Sequence, residues 1–127
     1  MSHRRGPQLL VSGLTLAIAL TVATPLRADE ASATEIGLLL DFVSTSGCDF
    51  IRNNSRHEPE EAADHLRLKY SRGKRYADTA EHFIDRLASK SSWSGKLYEV
   101  DCEDEPPQPA GPWLHRALAD IRVQPDS

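Results

Sequence analysis

His65 is the residue around which chemistry is easiest to build. It follows Ala62 and Ala63 and precedes Leu66 in a helical stretch, which lets its ring face inward as a hydrogen-bonded core or cleft residue, or as a base or ligand. Arg52 and Asn53 lie at a turn, Ser92, Ser94 and Lys96 lead into a second extended segment, and Tyr98 lies on it. Brought together with His65, these residues would form a polar cleft suited to an anion or a carboxylate. Each also has a plain structural reading: Asn53 and Ser94-Gly95 shape turns, Arg52 and Lys96 pair with acids, and Tyr98 packs its ring. Trp93 and Trp113 are packing residues on the same reading, and an exposed Trp93 would instead mark a partner contact.

The alternative use of these residues is a small hydrolase or lyase in which His65 works with a nearby serine. No stronger enzymatic signature accompanies it. The chain has no G-x-S-x-G, H-E-x-x-H, Walker loop, G-x-G-x-x-G or c-type haem motif. Ser71 and Lys74 have S-x-x-K spacing, but on a basic connector without the motifs that normally accompany it. His57 and His65, with Asp64 and Glu61, suggest a metal site, yet the two rings are eight residues apart with Pro59 between them. A metal carrier would need three or more of His57, His65, His82, His115 and nearby acids to converge. Neither a metal nor a cofactor is implied, and a non-catalytic binding or interaction module is the leading reading.

The elements that must position these residues come from one short chain. Its 127 residues are enough for one small domain. His3, Arg4 and Arg5 make a positive start, and Gly6 to Leu26 carries no charge, with a mostly apolar run from Leu9 to Ala23. That layout predicts a signal peptide over 1–28, with Pro25 breaking its helix and cleavage after Leu26-Arg27-Ala28. The run is interrupted by Ser12, Gly13, Thr15, Thr21 and Thr24, whereas a spanning helix needs about 20 predominantly apolar residues. The expected destination is the periplasm, with no stable membrane insertion after cleavage.

Cleavage would remove Arg4, Arg5 and Arg27 and no acid, leaving 12 bases against 19 acids, a net charge of −7. An acidic domain lacks the clustered positive charge that nucleic acid demands, so the open partner classes are a periplasmic protein and a small ligand. Cys48 and Cys102 are the only cysteines. In an oxidising compartment they predict one disulfide.

Residues 29–127 read as one domain with a core over about 33–122. Ser32 and Glu35 have capping-box spacing before Ile36, Leu39, Leu40 and Val43, predicting a helix over 33–45. A strand over 48–52 enters a tight turn at Asn53-Asn54, and Pro59 with Glu60 and Glu61 opens a helix over 59–70. Ser71 to Lys74 reads as a connector. Asp78 and Glu81 repeat the capping-box spacing ahead of a helix over 78–89, and Lys96 to Cys102 alternates as a strand expected to pair with the one near Phe50. Glu103 to Pro109 reads as a loop, and Gly111-Pro112 starts a last helix whose tail frays after Val123. The fold class is α+β, predominantly helical, with about four short helices and a small antiparallel β-hairpin. The expected core is Ile36, Leu39, Leu40, Val43, Phe50, Leu66, Phe83, Ile84, Leu87, Leu97, Val100, Leu114, Leu118 and Ile121.

An ordered set of motifs carries a family resemblance. It comprises Phe50-Ile51-Arg52-Asn53, Glu61-Ala62-Ala63 with His65-Leu66-Arg67 and Lys69, Thr79-Ala80-Glu81 with Phe83-Ile84, and Ala88-Ser89 followed by Ser92, Ser94-Gly95-Lys96 and Tyr98. From about Ile36 to Leu118 the chain resembles the YfeK-like family of exported bacterial domains of unknown function. The resemblance implies a periplasmic home in a Gram-negative cell and a short helical domain, and no activity, cofactor or partner. Asn54 stands where that family usually has Gly, and Leu97 where Pro is common; Asn tolerates the positive φ such a turn requires.

Overall fold

The computed structural model describes Gly6, residues 12–20 and residues 25–124. The positive start at His3 to Arg5 and the tail beyond 124 lie outside the described residues. Among residues 12–20 there is no helix or strand, and Leu14, Leu16, Ile18 and Leu20 are exposed.

Helix α1 spans Pro25–Thr45, longer than the 33–45 expected. Pro25 starts this helix and does not break it, because the first turn requires no N–H from its leading residue. Ser32 therefore lies inside the helix and caps nothing, and Glu35 instead pairs with Arg122 at 2.6 Å. Ile36, Leu39, Leu40 and Val43 form the buried stripe. Gly47, at φ +70°, reverses the chain after α1.

Strands β1 (Asp49–Arg52) and β2 (Ser55–His57) form a hairpin closed by Asn53 and Asn54 at φ +50° and +67°. Two successive positive φ values define the turn whose twist matches an antiparallel pair. Strand β3 (Glu99–Asp101) pairs antiparallel with β1, placing Phe50 opposite Val100, and β4 (Gln108–Pro109) pairs with β3. The sheet thus has four strands in the order β2-β1-β3-β4. Part of the expected loop over 103–109 is the edge strand β4, where a proline is tolerated because one side needs no partner. The strand expected over 96–102 is regular only at Glu99–Asp101, preceded by an isolated bridge from Leu97 to Lys90.

Period two corrects one core residue. With Val100 at 0% exposure, its same-face neighbour Tyr98 is buried at 2% and Leu97 points outward at 62%. Cys48 and Cys102 flank the β1–β3 pair in bonding geometry, Cα atoms 4.3 Å apart.

Helix α2 (Pro59–Gly73) runs past the expected end at 70, and the supposed connector is its last turn followed by a 3₁₀ turn at Lys74–Tyr76. Gly73 continues it because a Cβ there would stand only 3.1 Å from Leu87, so the position needs closeness and not a break. Helix α3 (Ala80–Phe83) continues as a π-helical turn, Ile84–Ala88. Its cap is Thr79, whose Oγ1 accepts from the His82 amide at 3.0 Å, while the Asp78 carboxylate takes the His82 ring. Helix α4 spans Ala110–Val123. Helix α1 packs against α2, α3 and α4, and Trp113 lies against Phe42 and Phe50 at ring distances of 4.7 and 5.9 Å. Ile121 is only partly buried against this core.

Candidate functional site

Three segments meet over one face of α2. The β1 end and hairpin turn supply Arg52 and Asn53; α2 supplies His65, Lys69 and Arg72 at i, i+4 and i+7; and the stretch after the π turn supplies Lys90, Ser91, Ser92, Trp93 and Tyr98. Together with Tyr76, Asp85 and Arg86 they enclose an open cleft of about 820 Å³.

Ser91 holds two walls together. It is 5% exposed, and its Oγ accepts from the Trp93 and Ser94 amides and from Asn53 Nδ2 at 3.2 to 3.4 Å. Ser94 Oγ donates to Asn53 Oδ1 at 2.5 Å. The turn carrying Trp93 is thereby pinned to the β1–β2 turn, and the Trp93 ring, 95% exposed, stands at the rim.

Five cations line the cleft: Arg52, Lys69, Arg72, Arg86 and Lys90. Among the described residues none of them lies within 4 Å of a carboxylate. The one acid in the lining, Asp85, accepts from His115 Nε2 at 2.7 Å. A cleft of uncompensated positive charge in an acidic chain focuses attraction for anions at this spot.

The charges act on their neighbours. Arg52 Nη1 donates to the His65 ring, 2.9 Å from Nδ1, which requires a ring nitrogen with a free lone pair and hence a neutral imidazole. Burial first, then the positive charges of Arg52 and Lys69, push the His65 pKa down to about 4. Lys69 is held down to about 8 by burial and by Arg52. Its Nζ donates to the Lys90 carbonyl at 3.0 Å and to Tyr98 Oη at 3.1 Å. Burial raises the Tyr98 phenol, with Arg52 opposing.

Of the residues singled out from sequence, Arg52, Asn53, His65, Ser92 and Tyr98 line the cleft. Ser94 is exposed and outside the lining, touching it through Asn53, and Lys96 is exposed outside the lining as well, its amide donating to Ser94 Oγ at 3.3 Å. The expected acid partners of Arg52 and Lys96 are not present among the described residues. Sequence reasoning missed Lys69, Arg72, Arg86, Lys90 and Ser91. The signal for two of them was the polar face of α2, where Lys69 and Arg72 follow His65 at helical spacing.

His65 makes no hydrogen bond to Ser92 or Ser94 among the described residues; its ring is taken by Arg52. The base and nucleophile of the hydrolase reading are not assembled. The histidines proposed for a metal are dispersed into separate acid pairs, His57 with Glu61, His82 with Asp78 and His115 with Asp85. No group of three His, Cys, Asp or Glu side chains converges among the described residues. A smaller cavity of about 70 Å³ shares Arg52, His65 and Tyr98 with the cleft and also touches His57, whose Nε2 is buried without a hydrogen-bond partner.

Comparison with known proteins adds kinship without chemistry. The model of a family described as a family of unknown function, DUF5329, matches residues 30–122. Over 49 residues the chain is 53% identical to the uncharacterized protein YfeK of Salmonella typhimurium, a match covering 39% of this chain and 41% of that protein. The aligned part is thus about two-fifths of the relative's length. No solved structure matches.

Proposed function

The chain belongs to the DUF5329 family of unknown function, and from that premise we propose that it is a small periplasmic binding module, without catalysis, whose basic cleft takes an anionic small ligand. The observation that carries this reading is the set of five cations with no carboxylate partner around one cleft. Like charges gathered around one cleft repel one another unless something compensates them. A carboxylate or phosphate ester entering the cleft does so, and Arg52, Arg72 and Arg86 offer the forked donors that fit either group.

The periplasmic part of the proposal rests on the amino-terminal pattern and the cysteine pair. Removing residues 1–28 would trim only the first turn of α1, since its buried stripe begins at Ile36. Leu14, Leu16, Ile18 and Leu20 make no use of the domain's core. No helix among the described residues is long and apolar enough to cross a membrane. Fractionation of a Gram-negative host and amino-terminal sequencing of the recovered chain test this; a start at Asp29 in the periplasm is expected, and a chain retaining Met1 in the cytosol contradicts it.

Binding is tested by thermal shift and calorimetry with citrate, inorganic phosphate and lactate at low ionic strength. At least one should raise the melting point by mass action, and the double variant Arg72→Glu, Arg86→Glu should weaken binding about tenfold or more. If no anion shifts the melting point, or if the double variant binds as tightly as the parent, the reading fails.

A further inference from the structure

One of the five basic side chains of the cleft, Lys69, differs from the others in its surroundings. An ammonium has three hydrogens and a neutral amine two, and Lys69 has two hydrogen-bond partners, the Lys90 carbonyl and Tyr98 Oη. No carboxylate lies within 4 Å of it among the described residues. Loss of the third proton therefore breaks no contact, and the lone pair takes the remaining tetrahedral direction. Nζ also stands 5.0 Å from the Tyr98 ring centroid. Tyr98 Oη accepts from Lys69 and so keeps its own hydrogen for another acceptor.

The groups around this amine favour the neutral form. Arg52 comes from β1, His65 and Arg72 from α2 itself, Asp85 and Arg86 from the π turn, Tyr76 from the 3₁₀ turn, and Lys90 and Tyr98 from the segment leading to β3. The single carboxylate among them is engaged by His115. A desolvated lysine beside other cations is the environment in which an amine becomes a nucleophile near neutral pH, and Lys69 is held at about 8.

We propose that Lys69 captures the carbonyl group of a 2-oxo acid as an imine, the acid's carboxylate resting on the cleft's arginines; the proposal rests on the anion-binding reading. Nζ forms a bond to the carbonyl carbon as the C=O pair moves to oxygen, and a proton passes from nitrogen to that oxygen to give a carbinolamine. The hydroxyl then leaves as water, with the Tyr98 O–H supplying the proton and recovering one from nitrogen. Both amine hydrogens depart with the carbonyl oxygen as one water, and nothing is oxidised or reduced. The reaction is reversible by hydrolysis.

The test is reductive trapping of the oxidised full domain with pyruvate and cyanoborohydride at pH 8, read by peptide mass spectrometry. The chain has four lysines, Lys69, Lys74, Lys90 and Lys96. The adduct should form on Lys69 in about tenfold or greater excess over the other three, because burial and Arg52 hold its amine down to about 8 inside a cleft that gathers the acid's carboxylate. Tyr98→Phe should slow trapping by about a hundredfold if the phenol supplies the proton. Lys69→Arg should abolish the adduct, and mapping of the parent decides the matter should that variant not fold. Adducts spread evenly over the lysines, or no adduct, overturn the imine. Lactate, which has the carboxylate and no carbonyl, separates the two readings: a thermal shift with lactate alongside failed trapping leaves anion binding standing, and no shift with lactate, pyruvate, citrate or phosphate removes both.

Discussion

His65 keeps a neutral imidazole where a charged one would be repelled by Arg52 and Lys69. Its pH linkage has a definite sign. The folded value is about 4 and the ordinary value 6.5, so between them the unfolded chain binds more protons and stability falls as pH drops from 6.5 toward 4. Above 6.5 both states are neutral and the contribution is constant. Because the ring is partly solvated, the loss is about 1 kcal/mol, well below the full linkage value. His65→Gln retains a group that can accept from Arg52 and removes the titration, so its urea midpoint should fall less than the parent's over this window. Parallel pH profiles for the two proteins would show that His65 does not carry the acid sensitivity. Lys69 follows the same sign in a higher window: between 8 and 10.5 the unfolded chain holds more protons, so stability rises with pH across it.

At the scale of elements, the hairpin turn between β1 and β2 positions Arg52 and Asn53, and its own chemistry is testable. Asn54 adopts φ +67°, a region Asn tolerates and Gly enters with less strain. Asn53 must stay, because its side chain holds Ser91 and Ser94, whereas no side-chain hydrogen bond of Asn54 is found among the described residues. Asn54→Gly should therefore stabilise by a few tenths to about 1 kcal/mol, and Asn54→Val should cost about 1–2 kcal/mol. Chemical denaturation of both variants checks the pair, and a destabilising glycine would show that the Asn54 side chain has a role the backbone angle does not explain. This turn was legible in the sequence, as were the α2 start at Pro59 and the buried stripe of α1, because each is written in local residue chemistry. The elements that were not legible depend on distant contacts. Strand β4 is two residues held by β3, the end of α2 is set by Gly73 against Leu87, and the choice of Tyr98 over Leu97 for the interior follows from Val100 meeting Phe50 across the sheet. The cleft was legible in part for the same reason. His65, Arg52 and Tyr98 stood out by type, while Lys69 looked like an ordinary solvated charge until Lys90 and Tyr98 closed over it, and the exposed Arg72 joins the cleft only through its place on α2.

For the whole molecule, the bond between Cys48 and Cys102 fixes the β1–β3 pair from its outer end, one residue beyond the Asp49–Asp101 register pair. It spans 54 residues, and that segment contains α2, α3 and the whole cleft. Closing a loop of this length removes conformational freedom from the unfolded chain worth up to about 4 kcal/mol. A small domain has a total stability of only about 5–15 kcal/mol, so the staple is a large fraction of what holds this one together. The double variant Cys48→Ser, Cys102→Ser should lose about 2–4 kcal/mol in urea, and adding reductant to the parent should reproduce the shift. Binding should suffer too, because Arg52 leaves β1 and Tyr98 precedes β3 at the opposite end of that pair, and a looser sheet separates them. Restoring the lost stability with an osmolyte distinguishes the causes: if anion affinity returns with the fold, the bond acts through global stability, and if it stays weak, the bond sets the spacing of the cleft walls. An unchanged urea midpoint on reduction would mean that the helices alone hold the sheet, and the cysteine pair would then give no ground for placing this chain in an oxidising compartment.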